Sequence, residues 1–551
     1  KKIGQLFVNM GASREEEYLK SVLDNYHIGG VRYNPATASE VYDQNKILQE
    51  NSKIPLLIAA NTEAGGNGAC VDGTYIGNEV KIASTNDKKY AYEMGRVSGV
   101  EASAIGCNWS FAPIVDINRN WRNPIISTRT WSQDVEQTLE LSLEYMRGIM
   151  ESGIAPAAKH FPGDGVDERD HHLSFAPNTL SVEEWDNTFG KVYGGLIEAG
   201  LPSIMVGHMA LPEYVKHFNP DATVEELAMP SSLNRIVLQN VLREKLNFNG
   251  VVVSDASHMV AMTSAMKRKD MLPTAVAAGC DLFLFFNDPE EDFAWMMEGY
   301  KKGIITEERL EEALTRILGL KASLGLDRKA KTEIMMPKEE AMAKIGTEAN
   351  KAIAPEVSDK AITLVKNNQE LLPINPEKHK RVLLVEVKGP ESAYGKIMAA
   401  MSGGKKKPIE LMKEKLELAF IPQNIRSEVS IIEKKTSGKE YVFYGEDNKF
   451  PEYLWDLYLN CSTLQSIING TADFVSGNEV RINKPKFAES VNKEGDTIED
   501  LYRKISVDCM IFGGFALQII RNVKGELSEI YWVDLRQLRL NVDSNKVFYC
   551  D

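Results

Sequence analysis

Ile154-Ala155-Pro156-Ala157-Ala158-Lys159-His160-Phe161-Pro162-Gly163-Asp164-Gly165-Val166-Asp167-Glu168-Arg169-Asp170-His171-His172 is an apolar run that ends abruptly in charge. Residues 154–158 read as a short strand. Pro162, Gly163 and Gly165 then forbid regular structure, and Asp170 with His172 closes the segment. A basic pair, Lys159 and His160, therefore falls at a strand's end, with a titratable pair on the loop beyond it. An Asp two residues from a His in an extended loop can accept the imidazole proton, orient the ring and raise its basicity. The competing readings are a polar surface loop and a metal site made of His160, His171 and His172. No Cys or carboxylate spacing elsewhere completes such a ligand set, so no metal and no cofactor is expected.

Outward from this stretch the same pattern repeats. Apolar, β-prone runs at 3–8, 30–33, 56–60, 109–117, 154–159, 203–207, 250–254 and 281–286 alternate with helical patterns at 15–25, 38–49, 134–152, 182–199, 231–245, 272–278 and 308–324. Eight strands, each feeding a helix, predict an α/β fold of the (β/α)8 barrel type better than an open doubly wound sheet. Neither a GxGxxG nor a P-loop follows any strand. Barrel active sites gather where strands end. At those ends stand Asn34, Asn61 with Glu63, Asp116, Lys159 with His160, His208, Asp255, and Asn287 with Asp288.

Asp255 has the placement of a nucleophile. Gly250-Val251-Val252-Val253-Ser254 is an apolar strand that delivers a carboxylate into the loop at its end, as a retaining glycosidase requires. The plainer reading is an Asp that caps the next helix.

Bulk properties bound the rest. The chain has 551 residues, 43% of them hydrophobic, enough for three to four domain-sized units. A net charge of -14 speaks against a general nucleic-acid or anionic-membrane binder. Residues 401–551 carry 21 Lys and Arg against 23 Asp and Glu, so the acidity belongs to the first 400 residues. Six scattered Cys without a CxxC pair suggest free thiols in a reducing compartment. No apolar run is long enough to span a bilayer, so a soluble chain without a membrane partner is expected. The chain opens on Lys1 without an apolar leader, which fits a bacterial cytoplasmic protein and equally a secreted one whose signal peptide has been removed.

The residues from Lys2 to about Leu326 resemble glycoside hydrolase family 3, in its β-N-acetylglucosaminidase branch. The resemblance rests on Lys2-Ile3-Gly4-Gln5-Leu6-Phe7, on Phe111-Ala112-Pro113-Ile114-Val115-Asp116-Ile117-Asn118 and on Asn123-Pro124-Ile125-Ile126-Ser127-Thr128-Arg129-Thr130-Trp131. The Lys159-to-His172 stretch and Val253-Ser254-Asp255 complete it. It implies a TIM barrel over 1–326 in which Asp255 is the nucleophile and His172, assisted by Asp170, is the acid/base. It also implies that Arg129, Lys159 and His160 hold sugar hydroxyls, with Asn61, Glu63, Asp116 and His208 as further substrate-binding candidates. The implied partner is a carbohydrate carrying β-linked N-acetylglucosamine, in a setting such as cell-wall recycling. Two departures stand out. Relatives commonly show Asp-Gln-Glu-Gly-Gly where this chain has Asn61-Thr62-Glu63-Ala64-Gly65-Gly66, so a sugar-binding carboxylate is either replaced by an amide or shifted to Glu63. His171 beside His172 offers a second imidazole for the acid/base. Because an imidazole repels anionic nucleophiles less than a carboxylate does, phosphate could replace water, and a phosphorylase or a β-glucosidase of the same family is the alternative.

Residues 327–400 read as a linker and the start of an α/β sandwich, with a strand at 382–387. Ser402-Gly403-Gly404-Lys405-Lys406-Lys407 reads as a further linker. Residues 401–551 form an α+β segment. Its stretch Tyr441-Val442-Phe443-Tyr444-Gly445-Glu446-Asp447-Asn448-Lys449-Phe450-Pro451, a helix at 454–469, and strands at 515–522 and 529–533 resemble the N-terminal part of tailed-phage portal proteins, which form rings around DNA. That resemblance implies oligomerisation and a fused or composite chain; an ordinary α+β domain is the other reading.

Overall fold

A computed structural model describes residues 1–11, 13–367, 433–434, 443–444, 448–476, 487, 489–540 and 547–549. Eight parallel strands close into a barrel in chain order: β1 Phe7–Gly11, β2 Gly30–Tyr33, β3 Leu57–Ala60, β4 Trp109–Ser110, β5 Ala155–Phe161, β6 Ser203–Val206, β7 Val251–Ala256 and β8 Leu282–Leu284. Closure comes from Phe7 facing Phe283 and Val8 facing Leu284 across β1 and β8. The strands are buried on both faces, which is why they read as continuous apolar runs and not as alternating ones.

The expected strands all appear, with shifted ends. Residues 3–6 form a short helical turn because the Gln5 side chain is drawn to the carbonyls of His27 and Ile28 and receives Lys321 Nζ at 2.7 Å. The run at 109–117 keeps only two strand residues, since Pro113 has no N–H to continue the ladder. The chain nevertheless stays beside β5, with Val115 N–H donating to the Lys159 carbonyl at 2.7 Å, and this carries Asp116 alongside His160. β7 runs on through Asp255 to Ala256, so the carboxylate belongs to the strand itself. The helix Lys89–Ala104 has no counterpart among the sequence-predicted helices: Ala91, Gly95, Gly99, Ala102 and Ala104 interrupt the larger buried Tyr90, Met94 and Val97 and weaken its apolar pattern. An added Cβ at Gly95 would lie 2.2 Å from the Tyr145 carbonyl oxygen of the helix Val135–Met150.

The end of the barrel remote from the strand exits is locked by charge. Asp281, fully buried, receives Arg309 at 2.6 Å, Arg243 at 2.8 Å and the Val252 N–H at 2.9 Å. At the other end Arg268 holds Asp292, the Ser257 hydroxyl and the Phe285 carbonyl, which ties the loop after β7 to β8.

Beyond Leu326 the chain packs back on the barrel. Tyr42 donates to the Met336 carbonyl, Ala341 is fully buried in the barrel's core cluster, and buried Glu101 accepts from Asn350 Nδ2 at 3.0 Å and Gly346 N–H at 3.1 Å. Helices Lys338–Lys344 and Ile353–Ala361 follow. The expected strand at 382–387 and the linker at 402–407 lie outside the described residues.

In the C-terminal segment, helices Phe450–Asn460, Ser462–Ser476 and Ile498–Phe512 accompany an antiparallel hairpin of Ala516–Arg521 and Leu527–Val533. The helix expected at 454–469 is thus two, broken at Cys461, whose backbone is extended. Among the described residues, no helix is long and apolar enough to cross a membrane, and Cys70, Cys107, Cys280, Cys461 and Cys509 are free thiols.

The packing of 336–361 predicts that a chain ended after residue 367 keeps the barrel's cooperative melt, whereas one ended after residue 326 melts lower. Glu101 then loses two donors, a cost of about 2 kcal/mol. Thermal unfolding followed by circular dichroism checks this; identical melts contradict it.

Candidate active site

β7 is built to carry a charge inward. Val251, Val252 and Val253 are fully buried, the Ser254 hydroxyl accepts from the Leu284 N–H at 3.0 Å, and Asp255 follows, 8% exposed. One Asp255 oxygen, Oδ1, accepts from the Ala256 N–H at 2.7 Å, while Oδ2 is buried without a hydrogen-bond partner and lies 3.9 Å from His160 Nε2. Burial alone would raise this carboxyl's pKa. The surrounding His160, His171 and His208 outweigh it and hold the group well below the usual carboxylate range. Asp255 does not cap the next helix, Val260–Thr263, which has no side-chain cap.

β5 supplies the basic wall. Lys159 Nζ lies 2.5 Å from Glu63 Oε1, and Arg129 donates to both oxygens of the same carboxylate at 3.2 Å. Burial works to raise the Glu63 pKa, but Lys159 and Arg129 together keep it far below its ordinary value. Asn61 accepts from Arg32 at 3.3 Å and donates to Glu63 at 3.5 Å. Of the two positions left open by the sequence, Glu63 is therefore the carboxylate that joins the set, and Asn61 borders it.

His160 is fixed by Asp116, whose Oδ2 lies 2.7 Å from the ring Nδ1 and whose Oδ1 accepts from the His160 and Asp164 N–H groups. Asp116 is fully buried with both oxygens engaged, and it holds His160. His208 is placed in a similar way. It is fully buried, with Nδ1 2.8 Å from the Ser232 hydroxyl and Nε2 3.1 Å from the Ala256 carbonyl, and it secures the backbone next to Asp255.

On the loop after β5, Asp170 Oδ1 lies 2.6 Å from His172 Nδ1 and accepts the His172 N–H at 2.8 Å. This fixes the tautomer: Nδ1 carries a proton toward Asp170 and Nε2 is left to exchange one. Burial would lower the His172 pKa; the hydrogen bond and charge of Asp170 raise it above the ordinary imidazole value. The side chain is 39% exposed. His171 differs from it completely. It is 1% exposed, and burial holds it well below its ordinary pKa, so it stays neutral. The loop's far end is tied to the chain beyond Asp255, with Val260 N–H donating to the His172 carbonyl at 2.9 Å.

Four contributors escaped the sequence reading. Asn123 clamps the loop through Asp164 Oδ1 and the Asp167 carbonyl, both at 2.9 Å. Ser232 orients His208. Glu79, buried and accepting the Ile114 N–H at 2.9 Å, has its pKa pushed upward by burial and sits near Glu63, Lys159 and Arg129. Asn123 lies inside a quoted motif and Asp164 within the opening stretch, so both were findable; Ser232 and Glu79 carry no local signal. Among the described residues, no group of three or more His, Cys, Asp or Glu is arranged to hold a metal ion.

Residues 1–320 match the glycosyl hydrolase family 3 N-terminal domain. The chain is 41% identical over 394 residues to a β-N-acetylglucosaminidase/β-glucosidase of Cellulomonas fimi, spanning 72% of this chain and 69% of that protein. It is 31% identical over 241 residues to a β-hexosaminidase of Hydrogenovibrio crunogenus, covering 42% of this chain and 64% of that one. Among solved structures, the β-glucoside phosphorylase BglX superposes with a TM-score of 0.70 at 38% identity, over 76% of this chain and 73% of that one. A family 3 β-N-acetylglucosaminidase from Paenibacillus sp. str. FPU-7 gives 0.60 at 26%, over 67% and 70%. The family match ends at residue 320, and the expected resemblance of the last 110 residues to portal proteins is not shown by these comparisons.

Glu63→Gln leaves buried Lys159 facing an amide and should cost about 3 kcal/mol at neutral pH. The folded pKa of Glu63 is depressed below its ordinary 4.5, so its stabilisation is complete above that value and is lost as pH falls through the folded pKa. Denaturant melts of both proteins across pH should therefore show a gap that narrows on acidification; a constant gap contradicts the assignment.

Proposed function

The chain belongs to glycosyl hydrolase family 3, as a glycosidase acting on O-glycosyl bonds, and on that premise we propose that it removes terminal β-linked N-acetylglucosamine with retention at the anomeric carbon. The observation that carries this reading is the buried, ionised Asp255, whose free oxygen shares a site with the Asp170–His172 pair.

In the first step Asp255 Oδ2 attacks the anomeric carbon while the bond to the leaving oxygen breaks, and His172 Nε2 gives that oxygen its proton. Asp170 keeps the ring oriented by holding Nδ1–H, and its charge stabilises the imidazolium before transfer. In the second step the neutral His172 takes a proton from water as the water oxygen attacks the same carbon and expels Asp255. Two inversions give net retention. Lys159, Arg129 and Glu63 form a charged wall suited to sugar hydroxyls, and His160 faces the carboxylate that becomes esterified.

A second reading has a specific observation in its favour. The acid/base is an imidazole, neutral after the first step, and the chain is 38% identical to a β-glucoside phosphorylase of known structure. With phosphate as acceptor the product is a sugar 1-phosphate rather than the free sugar. Release of p-nitrophenol from its N-acetyl-β-glucosaminide and from its β-glucoside, with and without phosphate, separates the readings through the identity of the sugar product. For residues 401–551 we propose self-association, supported by exposed apolar side chains such as Leu459, Phe515 and Ile519.

Asp255→Ala should lower kcat/KM by roughly a thousandfold or more with an unchanged melt, since no covalent intermediate can form; a loss under about tenfold contradicts the nucleophile role. The alkaline limb of the kcat/KM profile should lie above the ordinary imidazole value, because His172 must be protonated to act as acid and Asp170 raises its pKa. In Asp170→Asn that limb should move to lower pH. An unmoved limb assigns the acid to another group.

A further inference from the structure

The proposed mechanism leaves two buried ionisable groups without a task. Asp164 Oδ2 and His171 Nε2 are each buried without a hydrogen-bond partner, and they face one another at 3.6 Å. Native interiors rarely leave two such atoms unsatisfied side by side. The gap is longer than a hydrogen bond and too short to admit a water between them.

The surrounding contacts decide which proton lies there. His171 Nδ1 faces the His208 N–H at 3.5 Å and so acts as an acceptor, which puts the single proton of the neutral ring on Nε2, directed at Asp164. The Asp164 side chain is immobilised from the opposite side, with Oδ1 accepting from Asn123 at 2.9 Å and from the Gly165 N–H at 2.6 Å. Its backbone N–H is fixed to Asp116, the same carboxylate that holds His160. His171 in turn packs its ring 4.8 Å from that of His172 and has its carbonyl tied to the Ala261 N–H. Asp164 opens the loop and His171 stands next to the residue that closes it. Closing the 3.6 Å gap by about 0.5 Å would bring the two side chains to hydrogen-bond distance, beside the His172 ring.

We propose that Asp164 and His171 are positioning residues: their bond, made when a sugar fills the pocket, fastens the two ends of the loop and sets His172 against the leaving oxygen. The inference rests on His172 being the general acid. It gives His171 a part distinct from the alternative acid/base role that its neighbouring position suggests, since its neutral Nε2–H is aimed into the protein.

The test compares kcat/KM on two N-acetyl-β-glucosaminides, a disaccharide whose leaving oxygen needs a proton and a dinitrophenyl glycoside whose leaving oxygen does not. Asp164→Asn and His171→Phe should each lose roughly thirtyfold or more on the disaccharide and less than about threefold on the aryl glycoside, because only acid catalysis is impaired. The double variant should be no worse than either single one, and His171→Gln, whose amide can still donate to Asp164, should stay within about threefold of the parent on both substrates. Melting of every variant is followed in parallel. Equal losses on the two substrates, or losses that multiply in the double variant, overturn the pairing. His172→Ala serves as the reference: if it lacks the selective loss on the disaccharide, the general-acid reading itself fails and the positioning role falls with it. If it shows that loss while Asp164→Asn and His171→Phe do not, only the pairing is wrong.

Discussion

A carboxylate kept ionised inside the barrel, with one oxygen left unpartnered, is the constraint on which the site depends. Taking a carboxylate out of water is costly unless opposite charge and hydrogen bonds offset it, and a group so placed ordinarily neutralises. Asp255 stays charged because its neighbours were fixed first. Asp116 holds His160, Ser232 and the Ala256 carbonyl hold His208, and the Ala256 N–H takes Asp255 Oδ1. Every donor that could satisfy Oδ2 is already turned elsewhere or stands too far away, which leaves that oxygen for a reacting carbon. This is electrostatic preorganisation, in which the protein has met the cost of orientation before substrate arrives.

The same logic separates stability from chemistry along the barrel axis. Asp281, a fully buried carboxylate beside β7 and β8, is saturated by Arg243, Arg309 and the Val252 N–H, and nothing about it is available. Asp255 lies four residues along β7 from Val251 and has the opposite character. Barrels of this class stabilise one face and react at the other, and the two carboxylates show how little distance that division needs.

Much of this was legible in the sequence because strand and carboxylate are adjacent there. Val251-Val252-Val253-Ser254-Asp255 announces both its burial and its payload, and Asp170 with His172 is a local pair whose geometry needs only two residues of extended chain. The rest depended on contacts between distant segments. Whether the carboxylate is replaced by the Asn61 amide or shifted to Glu63 was undecidable from spacing, since Lys159 and Arg129 converge on Glu63 from distant segments. Asp116 and His208 stand at strand ends in the sequence, but burial depth is not written in position, and both are fully buried among polar partners. The strand at 109–117 was overextended because apolar composition outvoted Pro113. The helix Lys89–Ala104 was passed over because Gly, Ala, Ser98 and Glu101 share its buried face with Tyr90, Met94 and Val97, which dilutes the hydrophobic signal.

The account's central claim is that Asp255 forms a covalent bond to the sugar. The most direct measurement is incubation of the full chain with a ring-fluorinated N-acetyl-β-glucosaminyl donor bearing a good leaving group, followed by proteolysis and mass analysis of the labelled peptide. The account predicts one sugar per chain, on the peptide containing Val251-Val252-Val253-Ser254-Asp255, with label absent from Asp255→Ala. A label on any other carboxylate, or turnover of the donor by the unlabelled enzyme with inversion at the anomeric carbon, would contradict it.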